Sequence, residues 1–159
     1  MRAVAKRRKR PKVQETPQPT KTPKWNDPSI GGFPLAWRFS ICDREGPYNW
    51  AILESSTEFM RVVGRLAEFE TKSWDQICDA GCHSIECHRM EKPARDRLSD
   101  IGQDDVDELM SYRIAGSQRV WCIQDQNIMR ILWWDPDHQV YRTEKDRRDR
   151  TKRRRRKGR

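Results

Sequence analysis

Four residues near the C-terminal end of the chain, Arg119, Arg130, His138 and Tyr141, have side chains that could together cut a phosphodiester without a metal ion. Such cleavage of RNA needs a group that activates a 2′-hydroxyl, a cation that holds the scissile phosphate, and an acid for the leaving oxygen. Arginine offers a permanently charged, bidentate fork for the phosphate. His138 can give or take a proton near neutral pH, and Tyr141 can donate a hydrogen bond or stack. Tyr112 and Trp121 would add flat surfaces for bases. The plainer reading of the same residues is ordinary strand positions followed by a capped turn at Asp135-Pro136-Asp137-His138.

Cys78, Cys82, His83, Cys87 and His88 form a second cluster, C-x3-C-H-x3-C-H, whose ligand types suit zinc. The spacing is not that of a C-x2-C knuckle, and the segment runs from a helix end into a strand, where alternate side chains point apart. A thiol-rich structural segment is therefore expected, with no metal and no other cofactor. Five cysteines are an odd number, which favours free thiols in a reducing, cytoplasmic setting over a disulfide framework. No glycine-rich phosphate loop, nucleophile elbow or paired-carboxylate motif is present. No apolar run approaches the roughly 20 residues needed to span a bilayer, so no membrane partner is expected.

The 159 residues carry a formal charge of +9, unevenly placed. Residues 1–24 hold nine Lys/Arg against one Glu, and residues 142–159 hold twelve against three acidic residues. The stretch between them holds 12 basic and 20 acidic residues, a net of −8. Runs such as Lys6 to Arg10 and Arg153 to Lys157 cannot bury enough apolar area to offset ordering entropy, and are expected to stay solvated and disordered. They suit phosphates, with Arg7, Arg8, Arg10, Arg153, Arg154, Arg155 and Arg156 as contacts to RNA or DNA. A solubility tail or an import signal would show the same composition. Proline recurs at Pro11, Pro17, Pro19, Pro23 and Pro28, as in an extended linker. The division that follows is an arm over 1–32, a domain over 33–141 and a tail over 142–159.

Within the domain, residues 34–42 alternate Leu35, Trp37, Phe39 and Ile41 with smaller or polar partners, predicting a strand, and 48–53 reads as its return. Ser55 and Glu58 make a capping box. It opens a helix with Phe59, Val62, Val63, Leu66 and Phe69 toward a sheet. Ser73 to Gln76 repeats the cap for a shorter helix ending near Gly81. A strand over 84–88, a polar loop containing Pro93 and a short helix over 104–110 follow. Then 110–114, 118–124 and 128–134 read as a three-stranded antiparallel meander. The expected fold is α+β: a small antiparallel sheet, made of the meander and an N-terminal strand, on one or two helices.

Two-residue turns at Gly116-Ser117 and Asp125-Gln126 would set Ile114 against Arg119, Trp121 against Arg130, and Ile123 against Ile128. One sheet face would then show Tyr112, Ile114, Arg119, Trp121, Ile123, Ile128, Arg130, Leu132 and Trp134 to solvent. The other, with Arg113 at its edge and Val120, Cys122, Met129, Ile131 and Trp133, would pack on the helices.

The stretch Ser111 to Tyr141, ending in Trp133-Trp134-Asp135-Pro136-Asp137-His138-Gln139-Val140-Tyr141, resembles the C-terminal half of small proteins of the RelE/ParE-like toxin superfamily. The resemblance implies a toxin-like endoribonuclease whose exposed sheet face acts on messenger RNA at the ribosome, with a protein antitoxin as partner. It also implies that Arg119 and Arg130 grip the phosphate while His138 and Tyr141 assist cleavage. The acidic body departs from the basic character of that superfamily. It favours the alternative, a non-catalytic nucleic-acid-binding accessory protein of a phage or mobile element.

Overall fold

The computed structural model describes residues 29–30 and 33–143. The basic runs, Arg7, Arg8, Arg10 and Arg153 to Arg156 among them, lie outside the described residues. The described residues form three α-helices and a five-stranded sheet of mixed direction, an α+β fold. A two-stranded pair, β1 (Ser29–Ile30) and β2 (Phe33–Pro34), precedes it.

The sheet order is β3-β7-β6-β5-β4. Its centre is the meander of β5 (Glu108–Ala115), β6 (Gln118–Asp125) and β7 (Ile128–Asp135). The β-branched and aromatic residues of these runs favour the pleated conformation, and Gly116 turns the first hairpin with a φ of 51° that a side chain would resist. β4 (His83–Glu86) pairs antiparallel with β5. The predicted N-terminal strand shrinks to β3 (Ala36–Arg38), which runs parallel to β7, with Ala36 opposite Ile128 and Arg38 opposite Arg130. Its expected return at 48–53 is instead a single 3-10 turn, Trp50–Ile52, capped by the Asn49 side chain.

α1 (Ser56–Phe69) and α2 (Trp74–Asp79) start where their caps predict, at Ser55 and Ser73, and the second has the full reciprocal box with Gln76. They cover one face of the sheet, packing Val62, Leu66, Phe69 and Ile77 on Met110, Tyr112, Val120, Cys122, Ile131 and Trp134. Phe59 and Val63, expected in that core, are exposed instead.

The second face is covered as well, which corrects the expectation of an open, solvent-facing side. α3 (Lys92–Asp100) occupies the stretch read as a polar loop, because Pro93 sits in its first turn, where a missing N–H costs nothing. Ala94 and Leu98 of α3, with Met90, Tyr48 and Val140, bury Leu109, Trp121, Ile123, Leu132 and Trp133. The helix expected over 104–110 is a turn that leads into β5 at Glu108.

Two irregularities redistribute the side chains: a register shift in β5 between Arg113 and Ala115, so that Arg113 and not Ile114 stands opposite Arg119, and an extra residue in β7. Trp121 faces Trp133 while Cys122 faces Ile131, so Leu132 is an extra residue and it shares the α3 side with Trp133. Trp134 is thereby thrown to the α1 side, and Tyr112 and Ile114 lie there too. The predicted face was thus a mixture of both.

Candidate nucleic-acid interface

Arg119 and Arg130 keep the same side of the sheet, because Arg119 pairs with Asp135 and Arg130 with Ile123, an even number of residues apart along β6. The β6–β7 turn is Gln126-Asn127, one residue later than the spacing suggested, with Gln126 at a φ of 54°. Arg130 therefore stands opposite Ile123 and not Trp121, four residues and about 13 Å along the strand from Arg119. Arg119 is only 9% exposed, and its Nη1 donates to the carbonyls of Gly116 at 2.8 Å and Gln118 at 3.0 Å. Its charge is spent on the hairpin turn.

Tyr112 and Trp121 are both fully buried and offer no surface to a base, which corrects their assignment as stacking residues. Tyr112 lies against Trp37 and Phe69, with ring centroids 4.9 and 5.3 Å away. Burial, with smaller contributions from neighbouring thiols, pushes its hydroxyl far above the ordinary tyrosine range. Trp121 donates its indole N–H to Asp135 Oδ2 at 3.2 Å.

Asp135 is the organiser of the motif that carried the resemblance. Besides Trp121, it accepts from the backbone N–H of Gln139 at 2.8 Å and of Val140 at 3.0 Å, fixing the turn 136–140 on the sheet end. That turn holds His138 at a φ of 55°, half-buried, and delivers Tyr141 to the start of α3. There Arg89 Nη2 donates to Tyr141 Oη at 3.1 Å, and its guanidinium lies 5.7 Å from the ring centroid. Arg142 follows, close enough that its charge acts on the Tyr48 hydroxyl, which burial first, then Asp135 and Glu91, push up to about 12 against the pull of Arg142. Exposed His88 adjoins Arg89 and sits 3.7 Å from Glu86.

The structure thus places Arg119 and His138 at one end of the sheet, leaves Arg130 toward the other, and holds Tyr141 at Arg89, three residues past the end of β4. Arg89 was missed in the sequence, since nothing in a spacing of 52 residues ties it to Tyr141. Of the cysteine–histidine cluster, Cys82 is buried and its Sγ accepts from the Arg113 N–H at 3.3 Å, whereas Cys78, His83 and His88 are exposed. No group of three His, Cys, Asp or Glu among the described residues is arranged to hold a metal ion.

Among the cavities on the described surface, two bear on a phosphate site. The larger, about 370 Å³, lies between residues 41–45, Arg97, Ile101 and Leu132. Its polar floor is occupied by Asp43, which accepts from Arg97 Nε at 2.8 Å, Arg97 Nη2 at 2.7 Å and Trp133 Nε1 at 3.0 Å. The smaller, about 190 Å³, is lined in part by Ser84, Asp107, Glu108 and Gln124, and is acidic. The exposed Arg44 guanidinium lines the larger cavity without an ion pair or hydrogen bond to another described residue, while the Arg97 cation beside it is paired with Asp43. Comparison with protein-family models, curated proteins and solved structures finds no match to the chain.

Proposed function

We propose that the protein is a nucleic-acid-binding accessory protein in which a rigid, acidic α+β domain carries two basic arms. One observation carries this reading: the charge is segregated between an acidic domain and the two basic segments that flank it. The described part, residues 33–143, holds 13 Lys/Arg against 19 Asp/Glu. The N-terminal segment precedes β3, and the C-terminal one follows the turn 136–140 and Tyr141, which is held at Arg89. Arg89, Tyr141 and Arg142 stand beside the C-terminal exit and supply the domain's own contact, a guanidinium and a ring that stack and donate to phosphate.

Fluorescence anisotropy with RNA and DNA oligonucleotides tests this. Removal of residues 1–24 and 144–159 together is expected to abolish most of the affinity, and Arg89→Ala to weaken binding severalfold while leaving the thermal midpoint unchanged. Equal affinity of the trimmed domain would overturn the reading.

The endoribonuclease reading keeps one observation in its favour, the placement of His138, in the turn that Asp135 anchors, at the sheet end where Arg119 pairs with Asp135. It predicts defined cleavage products from ribosome-bound messenger RNA. It further predicts that His138→Gln slows that cleavage about a hundredfold with the fold intact. Intact RNA after incubation with wild-type protein would dismiss it and leave the binding function.

A further inference from the structure

We infer that the outer side of α1 is the interface of a symmetric dimer, packed antiparallel against the same side of a second copy of this chain. Phe59, Met60 and Val63 are 50%, 63% and 39% exposed, three of the largest apolar side chains left on the described surface. With Gly64 and Ala67 they recur at four-residue steps (59/60, 63/64, 67), so they form a strip along one side of a single helix. An apolar strip of this kind on a soluble domain marks a contact surface.

Gly64 is the second, independent observation. A glycine inside an exposed helix costs about 1 kcal/mol relative to alanine. Nothing among the described residues requires it, since a Cβ there would meet none of their atoms within 4 Å. A side chain absent where there is open space lets another helix axis come close, since interaxial distance is set by the residues at the crossing.

Charge complementarity decides the occupant. Arg61 and Glu68 lie seven residues apart, two turns or about 10 Å, on the edge of the strip next to Gly64 and on either side of it. A half-turn about an axis through Gly64 sets Arg61 of each copy against Glu68 of the other, and Met60 against Ala67. Arg61 makes no hydrogen bond or ion pair with the other described residues. Glu68 already holds Arg65 and Lys72, yet its side chain stays 45% exposed and able to accept more. A single 14-residue helix pair buries less than the roughly 1,200 Å² of a standard interface, so the dimer is weak and concentration-dependent.

Sedimentation velocity on the full chain, stripped of nucleic acid by nuclease and high salt and then returned to moderate salt, is the test. Wild-type protein is expected to pass from monomer to dimer between about 1 and 100 μM. Gly64→Leu and Met60→Asp should hold it monomeric, while Gly64→Leu leaves the thermal midpoint of the dilute protein equal or higher. Arg61→Glu and Glu68→Arg should each weaken self-association severalfold, and an equimolar mixture of the two variants should restore it, because only the mixed antiparallel dimer pairs every charge. Wild-type protein that stays monomeric at all concentrations overturns the inference and leaves the strip to a different partner. Dimerisation indifferent to Gly64→Leu, or a mixture no tighter than its components, also overturns it.

Discussion

Two buried carboxylates on the α3 side, Asp43 and Asp135, do the same work: each accepts an indole N–H and ties a loop to the sheet. Burial alone would raise the Asp43 carboxyl, but the Arg97 fork, the Glu45 N–H and the Trp133 indole outweigh it and hold the group below its usual value. Because the folded-state value is depressed, the stabilisation is present above the unfolded value near 3.9 and is lost as pH falls through and below it. Asp43→Asn should therefore flatten the acid limb of a thermal midpoint against pH curve below about pH 4, besides lowering stability at pH 7. Asp43→Ala should cost about 3 kcal/mol at pH 7, at the lower end for a broken buried pair, because the Arg97 side chain is 18% exposed and can find water. Denaturant titration measures it, and a loss under about 1 kcal/mol would contradict the role given to Asp43. Gly46, at a φ of 76° and packed against Arg97, belongs to the same clamp. The capped turn at Asp135-Pro136 could be read in the sequence from its residue types. That its carboxylate also holds Trp121 could not, because the partner lies 14 residues back and depends on register.

At the scale of elements, the caps at Ser55 and Ser73 and the three strand runs were legible because their signals are local: a side chain three residues from an N–H, or apolar alternation over eight residues. The faces of the sheet were not. A single extra residue, Leu132, rotates the end of β7, and no propensity marks Leu132 as different from Ile131 or Trp133. α3 was missed because its polar sequence buries only Ala94 and Leu98, and Pro93 reads as a breaker unless it falls in a first turn. The thiols report on this layering. Cys78 is exposed at the end of α2, whereas Cys122 sits in the central strand and is fully buried. Desolvation raises both thiols, with Asp75 and Asp79 adding to it at Cys78. Alkylation of native protein at pH 8 should modify Cys78 first, slowly for a surface thiol, and Cys122 last, at a rate that tracks global unfolding in added denaturant. Modification of Cys122 on the timescale of Cys78 would mean that β6 opens locally.

The whole molecule is a contrast of charge: an acidic body between a segment with nine Lys/Arg and one with twelve. If both segments engage phosphates, each neutralised phosphate removes a counterion. The logarithm of the binding constant should then fall with the logarithm of salt by about 0.7 per phosphate on single strands and 0.9 on duplex. The upper bounds are then slopes of about 6 for residues 1–24 and 8 for the C-terminal segment on single-stranded RNA. Deleting either segment should lower the measured slope by no more than its own bound. On a long RNA the two decrements should add to nearly the whole slope. Arg89 and Arg142 are the domain's own phosphate contacts, so the trimmed protein's residual slope should be no more than about 1.4 on single strands. A residual slope of about 3 or more would place four or more phosphates on the domain itself, and Arg89, Arg130 and Arg142 would then be the residues to replace next.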